Sequence, residues 1–140
     1  MTESFTQSRK KARDSAFKLV YEYLFLGKPN GKSFDIFTGV DISNADREYI
    51  TAVYYGVIEH YHDLIDLIET YAKGFSIDRI YKPDLAAMLL ACYEIKYMPE
   101  IPVSVSINEA IELVKTYGAE NSRKFVNGIL GSVSRALETK

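Results

Sequence analysis

The chain has 140 residues, of which 47% are hydrophobic and 26% charged, so it is long enough to bury the core of a single domain. Its 17 Lys and Arg stand against 19 Asp and Glu, and the formal charge of -2 excludes a strong overall attraction to nucleic acid. The one cysteine excludes an intramolecular disulfide and a cysteine-rich zinc site. We expect a cytoplasmic protein, because no apolar run reaches the roughly 20 residues that cross a bilayer and the N-terminus lacks the apolar stretch of a secretory signal.

The first predicted helix runs from about Ser8 to Leu26 and begins with a basic cluster. Four of the five residues from Arg9 to Arg13 are Lys or Arg. Positive charge in a first turn opposes the helix dipole, so helix stability does not explain the cluster. On a helical wheel the cluster shares an exposed side with Phe17 and Tyr21. We expect this side to bind single-stranded RNA, since cations hold phosphates and aromatic rings stack on unpaired bases. A solvated helix start is the alternative interpretation.

A turn-rich segment, GKPNGKS from Gly27 to Ser33, follows the first helix. It resembles a phosphate-binding P-loop, a motif that needs four residues between its first Gly and the Gly-Lys-Ser. Only three residues stand there in this chain, and a predicted helix precedes the segment in place of a strand. We therefore predict no nucleotide site at this turn.

Helical spacing of apolar residues continues through the centre of the chain. It extends from Ile50 to Tyr71, with Ser43 as the predicted N-cap. The spacing fits either one long helix or two helices that are broken between Gly56 and His62. Gly74 suits a C-cap at the end of this segment.

The C-terminal part predicts three further helical segments after a short turn of helix at residues 76–81. Pro83 suits the first turn of the next helix. Ser106 and Glu109 have the spacing of a capping box, which predicts the start of another. The last helix is predicted to begin near Asn121. Helices throughout, with no strand pattern, predict an all-α compact helical bundle.

The side chains that most often carry catalysis or bind metals are sparse and poorly spaced. His60 and His62 are two residues apart, so on a helix they point away from each other and make a poor metal pair. Cys92 lies in the apolar run LAAMLLACY, where a buried and inert thiol is expected. We therefore predict no catalytic residue, no metal and no cofactor.

Three motifs in the C-terminal half resemble the signature of the NusB family of bacterial transcription antitermination factors. They are INEAIEL at residues 107–113, K-x-YG-x-E at 115–120 and KFVNGIL at 124–130, preceded by YEI at 93–95. The resemblance extends over residues 9–137. It implies a non-enzymatic single domain, 1–140, with about seven helices in two packed subdomains, about 1–80 and 81–140. It also implies that the chain pairs with NusE, a small-subunit ribosomal protein, and binds boxA-type RNA in the antitermination complex of RNA polymerase, supporting ribosomal RNA transcription.

The resemblance assigns roles to particular positions. The positions that match RNA-binding residues of the family are Arg9, Lys10, Lys11, Arg13, Tyr71, Asn121, Lys124 and Phe125. The positions that match contacts with NusE are Tyr21, Asp78 and Asp84. The spacing of Tyr71 and Phe125 also fits core packing. Asn121 also suits a helix N-cap, and Asp84 also suits the positive end of a helix dipole.

The chain departs from the family pattern at several positions. Leu89 replaces an arginine common in relatives, and Gly131 replaces an acidic residue. Lys10 and Lys11 stand where arginine is usual, and lysine lacks the planar fork of arginine.

Two alternatives to an antitermination factor remain open at the level of sequence. One is a stand-alone domain like the RNA-binding domain of ribosomal RNA cytosine methyltransferases. The other is a non-catalytic adaptor that binds protein or another RNA. The resemblance also allows a homodimer that hides the basic helix.

Overall fold

A computed structural model describes residues 3–39 and 41–138, with side chains from Gln7 onward. These residues form seven α-helices and one short 3-10 helix, and they contain no strand. The all-α prediction is therefore confirmed. The predicted domain limits, 1 and 140, lie outside the described residues, and the division into two subdomains stays a prediction. The helices are α1 (Glu3–Leu26), α2 (Gly31–Phe37), α3 (Asn44–Glu59), α4 (Tyr61–Tyr71), the 3-10 helix (Ile77–Arg79), α5 (Lys82–Tyr97), α6 (Val103–Tyr117) and α7 (Ser122–Glu138).

Helix α5 is the centre of the bundle. Every residue from Pro83 to Cys92 is buried, so this helix has no solvent-facing side along most of its length. A helix that is apolar all round is stable only when other helices surround it. Helices α1, α3, α4, α6 and α7 all pack against α5. Leu89 is fully buried in this centre, so the position where the family resemblance leads us to expect arginine is a core position here. None of the helices in residues 3–39 and 41–138 has the length and apolar character required to cross a membrane.

The central segment is two helices, which settles the choice left open by the sequence. Helix α3 ends at Glu59, α4 begins at Tyr61, and His60 joins them. Gly74 does not cap α4, because that helix ends at Tyr71 and Ala72 occupies the cap. Gly74 has a φ of +84° and permits the turn that leads to the 3-10 helix.

The predicted capping box of Ser106 and Glu109 is wrong. Helix α6 begins at Val103, and the Pro102 carbonyl accepts the N–H groups of Val105 and Ser106. Ser106 therefore lies inside the helix, where its hydroxyl donates to a buried carboxylate of α5. Proline suits the residue that starts a helix because its φ is already helical and it brings no additional N–H donor.

Replacement of Gly56 by alanine should destabilise the bundle. A Cβ at Gly56 would lie 2.3 Å from the ring of Tyr93, so α3 and α5 would have to separate. We expect a loss of about 1–3 kcal/mol in the free energy of unfolding, measured by urea denaturation. Gly128→Ala is the matched control, since a Cβ there meets no atom within 4 Å, and it should gain up to about 1 kcal/mol from helix propensity. Equal urea midpoints for the two variants would contradict this account of the α3–α5 contact.

Candidate nucleic-acid interface

The buried carboxylate of Glu94, on α5, joins three other helices. Glu94 has no exposed surface, and a buried carboxylate requires donors on its oxygens. Arg13 of α1 donates from Nε at 2.9 Å and from Nη2 at 3.3 Å. Ser106 of α6 donates at 2.7 Å, and the hydroxyl of Tyr49 on α3 donates as well. The network fixes α1 against α3, α5 and α6.

Arg13 is part of this network, so the expectation that it lies on an exposed basic surface is wrong. The Arg13 residue is 5% exposed, and Phe17, also expected on that surface, is 3% exposed. Burial lowers the pKa of the Arg13 guanidinium, but the hydrogen bond to Glu94 and the nearby charges outweigh burial and raise that pKa. Arg13 therefore stays charged and faces the interior, because Glu94 supplies its counter-charge there.

Arg9 is held by α3. Its Nε lies 2.9 Å from Oδ1 of Asp46, and its guanidinium lies 4.6 Å from the ring centroid of Tyr49. Ser8 also donates to Asp46. Ser43, the predicted N-cap, accepts the backbone N–H of Asp46 at 3.2 Å, which confirms the start of α3. Two of the four basic residues in the cluster are thus anchored by buried carboxylates of other helices.

Lys10 and Lys11 are the members of the cluster that are exposed. The Nζ of Lys10 lies 2.9 Å from Oε2 of Glu109, and the Lys10 side chain is 49% exposed. Exposed pairs of this kind contribute little and exchange readily with solvent. Lys11 borders an open groove of about 510 Å³ between α1 and the segment before α3, a groove that Lys10 also lines. The two lysines can therefore reach an external anion with little cost to the fold.

A second groove lies between the end of α4 and the outer face of α7. It measures about 500 Å³ and brings Tyr71 and Phe125, both predicted to bind RNA, to one place. Both rings are half-buried and also touch the core, so each combines packing with partial exposure. Lys124 is exposed one residue before Phe125. The full lining is Thr70, Tyr71, Ala72, Lys73, Phe75, Phe125, Gly128, Ile129 and Ser132.

A smaller cavity of about 210 Å³ joins predicted RNA-binding and partner-binding positions. Asp84, Asn121 and Phe125 all line it. Asp84 is 5% exposed, so it is not the surface residue that a direct partner contact suggests. Burial raises the pKa of its carboxyl, a hydrogen bond with Ser122 opposes that rise, and Oδ1 has no hydrogen-bond partner among the described residues. Asn121 is exposed and immediately precedes α7, the N-cap position that the sequence also suggested.

The other two predicted partner contacts lie on different elements. Asp78 is exposed on the 3-10 helix. Tyr21 is half-buried in a row of aromatic rings along α1, with ring centroids 6.1 Å from Phe17 and 5.0 Å from Phe25. Phe17 continues the row to Tyr117 of α6 at 4.9 Å.

Sequence reasoning missed the residues that organise the site. Glu94 was detectable as an acidic residue that directly follows the apolar run of residues 85–93, a pattern that indicates a buried ion pair. Asp46 stands three residues after the N-cap Ser43, where an acidic residue already suits the positive end of the helix dipole, so its pairing with Arg9 gives no separate signal in the sequence. Phe75 and Tyr81 are 46% and 53% exposed beside the two cavities of α7. They lie in a turn-rich segment, where amphipathic spacing gives no signal.

A family model described as the NusB family matches residues 10–135. The chain belongs to the NusB family. It is 39% identical to the transcription antitermination protein NusB of Finegoldia magna over 132 residues, which cover 94% of this chain and 96% of that protein. It is also 39% identical to the NusB of Acetivibrio thermocellus, with coverage of 89% and 87%.

Solved structures of the NusB family superpose closely on this fold. A T. maritima NusB has a TM-score of 0.85 at 31% identity, covering 91% of this chain and 90% of its own. A chain in a crystal structure of the antitermination factors NusB and NusE in complex with dsRNA has a TM-score of 0.81 at 28% identity. That match covers 93% of this chain and 98% of the other.

Glu94→Gln should be strongly destabilising. The amide would keep the shape but leave Arg13 as an unpaired buried charge, a change that typically costs about 3–5 kcal/mol. Glu112→Gln is the control, because Glu112 is an exposed carboxylate of α6. Urea denaturation of both variants measures the difference. A Glu94→Gln variant as stable as Glu112→Gln would show that the buried network does not hold the bundle together.

Asp46 should make folding stability depend on acid pH. Burial opposes its ionisation, but hydrogen bonds from Ser8 and Arg9 outweigh burial and lower its pKa below 3.8. The stabilisation is therefore present above pH 3.8 and is lost as the pH falls through the lower folded-state pKa. We expect the stability gap between the wild type and Asp46→Asn to be largest near neutral pH and to narrow in acid. A gap independent of pH, in denaturation curves across that range, would contradict the assignment.

Proposed function

We propose that the chain is a transcription antitermination factor that holds boxA-type single-stranded RNA together with NusE and supports transcription of ribosomal RNA by RNA polymerase. It acts by binding, without catalysis, and works in the cytoplasm. Membership of the NusB family, and the name that its relatives from F. magna and A. thermocellus carry, support this function. The structural neighbour that was solved with NusE and dsRNA supports NusE and RNA as the two classes of partner.

The observation that carries the proposal is that the ion pairs of Arg9 and Arg13 hold α1 so that Lys10 and Lys11 face solvent. Lys10 and Lys11 bind phosphates as point charges. Arg9 and Arg13 position them, since their own guanidinium groups are engaged by Asp46 and Glu94. This division explains how a chain with a formal charge of -2 presents a local cationic edge.

The α7 side supplies the second group of RNA contacts. Asn121 and Lys124 bind the RNA backbone, and Tyr71 and Phe125 contact bases in the groove between α4 and α7. The segment of α6 from Glu109, which pairs with Lys10, to Tyr117, where the helix ends before α7, is about 12 Å long at 1.5 Å per helical residue. One extended RNA strand follows this segment and contacts both groups.

The NusE contact uses Tyr21, Asp78 and the cavity beside Asp84. A partner that binds both RNA and this chain raises the effective affinity of each contact, because the second contact becomes intramolecular. A homodimer that covers α1 in the free protein would compete with RNA, and sedimentation of the free protein at several concentrations tests it.

Charge removal at the two lysines should weaken RNA binding specifically. We expect Lys10→Gln/Lys11→Gln to lower affinity for a labelled boxA-like RNA and to reduce the slope of log K against log salt by about 1.4, at 0.7 per phosphate. Lys28→Gln/Lys32→Gln removes the same charge at the turn before α2 and within it. Fluorescence anisotropy over a salt series, with and without NusE, measures both. If the Lys10→Gln/Lys11→Gln variant binds RNA as tightly as the Lys28→Gln/Lys32→Gln control, the basic edge is not the RNA site. If the wild-type protein forms no RNA complex at all, a protein-only adaptor is favoured.

Removal of the carboxylate that pairs with Lys10 should strengthen RNA binding. In Glu109→Gln the lysine no longer has to leave an ion pair to reach phosphate, and an exposed pair of this kind is worth about 0.2–1 kcal/mol, or up to about fivefold in affinity. Glu112→Gln removes the same charge one turn further along α6 without touching Lys10. Anisotropy titrations that give the two variants equal affinities would show that Glu109 does not compete with RNA for Lys10.

A further inference from the structure

Phe75 is an aromatic ring that the core does not use. It is 46% exposed in the segment between α4 and the 3-10 helix. Its ring centroid lies 5.2 Å from that of Phe125, at an interplanar angle of 72°, so Phe125 supports it edge-to-face. Phe75 lines both the groove between α4 and α7 and the smaller cavity beside Asp84. It therefore forms the ridge between two concave surfaces. One part of its ring packs against Phe125, and the rest is exposed to solvent.

The groove on the α4–α7 side of this ridge has the chemistry of a nucleobase site. Three aromatic residues line it, Tyr71, Phe75 and Phe125, and Lys73 is its single charged lining residue. The lining contains no carboxylate, and Thr70 and Ser132 add hydroxyl groups. Rings, one cation and hydroxyls suit an unpaired base and its phosphate.

The cavity on the other side of the ridge has a different lining. Asp84 and Arg79 both line it, so charges of both signs meet there. The groove between α4 and α7 offers a phosphate one cation and no carboxylate, whereas this cavity offers both charges. The contrast between the two sides favours RNA over a protein for the groove between α4 and α7.

Gly128 keeps the floor of this groove low. It lies inside α7, is exposed, and a Cβ at this position would meet no atom within 4 Å. The bundle therefore does not require glycine here, although glycine inside a helix costs about 1 kcal/mol relative to alanine. A flat floor beside Phe75 and Phe125 leaves room for a planar ring.

We propose that Phe75 is a stacking platform for one unstacked nucleobase of the single-stranded RNA, bound in the groove between α4 and α7 over Gly128. Lys73 holds the adjoining phosphate. The proposal rests on the proposed function, because it specifies how the RNA is held at its second contact group. It adds Phe75, Lys73 and Gly128 to the residues that bind RNA.

The absence of tryptophan from the sequence gives a direct test. Phe75→Trp creates a single indole at the platform, and a stacked nucleobase quenches indole fluorescence. We expect titration with a boxA-like single-stranded RNA to quench this variant with the same midpoint as the anisotropy change. Phe25→Trp is the control, since Phe25 is 62% exposed at the end of α1, and RNA alone should leave its emission unchanged.

Affinity measurements separate stacking from packing. Phe75→Leu keeps an apolar side chain but loses the ring, and should weaken RNA binding about fivefold to 100-fold, whereas Phe75→Trp should retain it. Gly128→Leu should weaken binding by filling the groove, while Asn127→Leu, an exposed neighbour on α7, should not. Urea denaturation of each variant checks that the fold is intact.

Three results would overturn the platform. If the indole fluorescence of Phe75→Trp is not quenched while RNA still binds through Lys10 and Lys11, Phe75 is not a stacking platform, and the proposed function is unaffected. A change in Phe75→Trp emission on addition of NusE but not of RNA assigns the ridge to the protein partner. Failure of the wild-type protein to bind the RNA at all, with or without NusE, refutes the proposed function itself and the platform with it.

Discussion

The ion pair between Arg13 and Glu94 is the interaction on which the arrangement of the protein depends. A carboxylate without exposed surface is stable only when donors surround it. Here the donors come from α1, α3 and α6, so the pair sets how α1 is rotated against its neighbours. That rotation decides which basic residues face solvent. It turns Lys10 and Lys11 outward and leaves Arg13 inside. The Arg13–Glu94 ion pair therefore stabilises the core and also determines which lysines form the cationic edge.

The two candidate RNA contacts differ in physical character. The lysines of α1 offer charge, which attracts any polyanion and weakens with salt. The groove between α4 and α7 offers rings and a flat floor, which recognise an unpaired base but attract nothing from a distance. A chain of nearly neutral net charge has no general affinity for nucleic acid. An RNA that satisfies both contacts is therefore held much better than one that satisfies only the first.

Helix content and order follow from apolar spacing, and the N-cap of α3 at Ser43 follows from capping chemistry. The roles of the individual residues in the basic cluster could not be predicted from the sequence, because Arg13 and its counter-charge, Glu94, are 81 residues apart in the chain. The same applies to Ser106, whose spacing to Glu109 fits a cap but whose hydroxyl is used by the buried network. Of the residues in the groove between α4 and α7, Tyr71 and Phe125 came from family resemblance. The exposure of Phe75 and its contact with Phe125 are visible only in the structure.

Mapping backbone amide chemical shifts while a boxA-like RNA is added tests the central claim most directly, because it reports both contact groups at once. The account predicts shifts in residues 8–15 of α1, in residues 70–75, and in Asn121 with the first half of α7, residues 122–128. It predicts no shifts in α2, Gly31–Phe37, because no residue of α2 lines either groove. Shifts in α1 alone would show that the RNA does not contact the groove between α4 and α7. Shifts centred on α2, with both groups silent, would contradict the account as a whole.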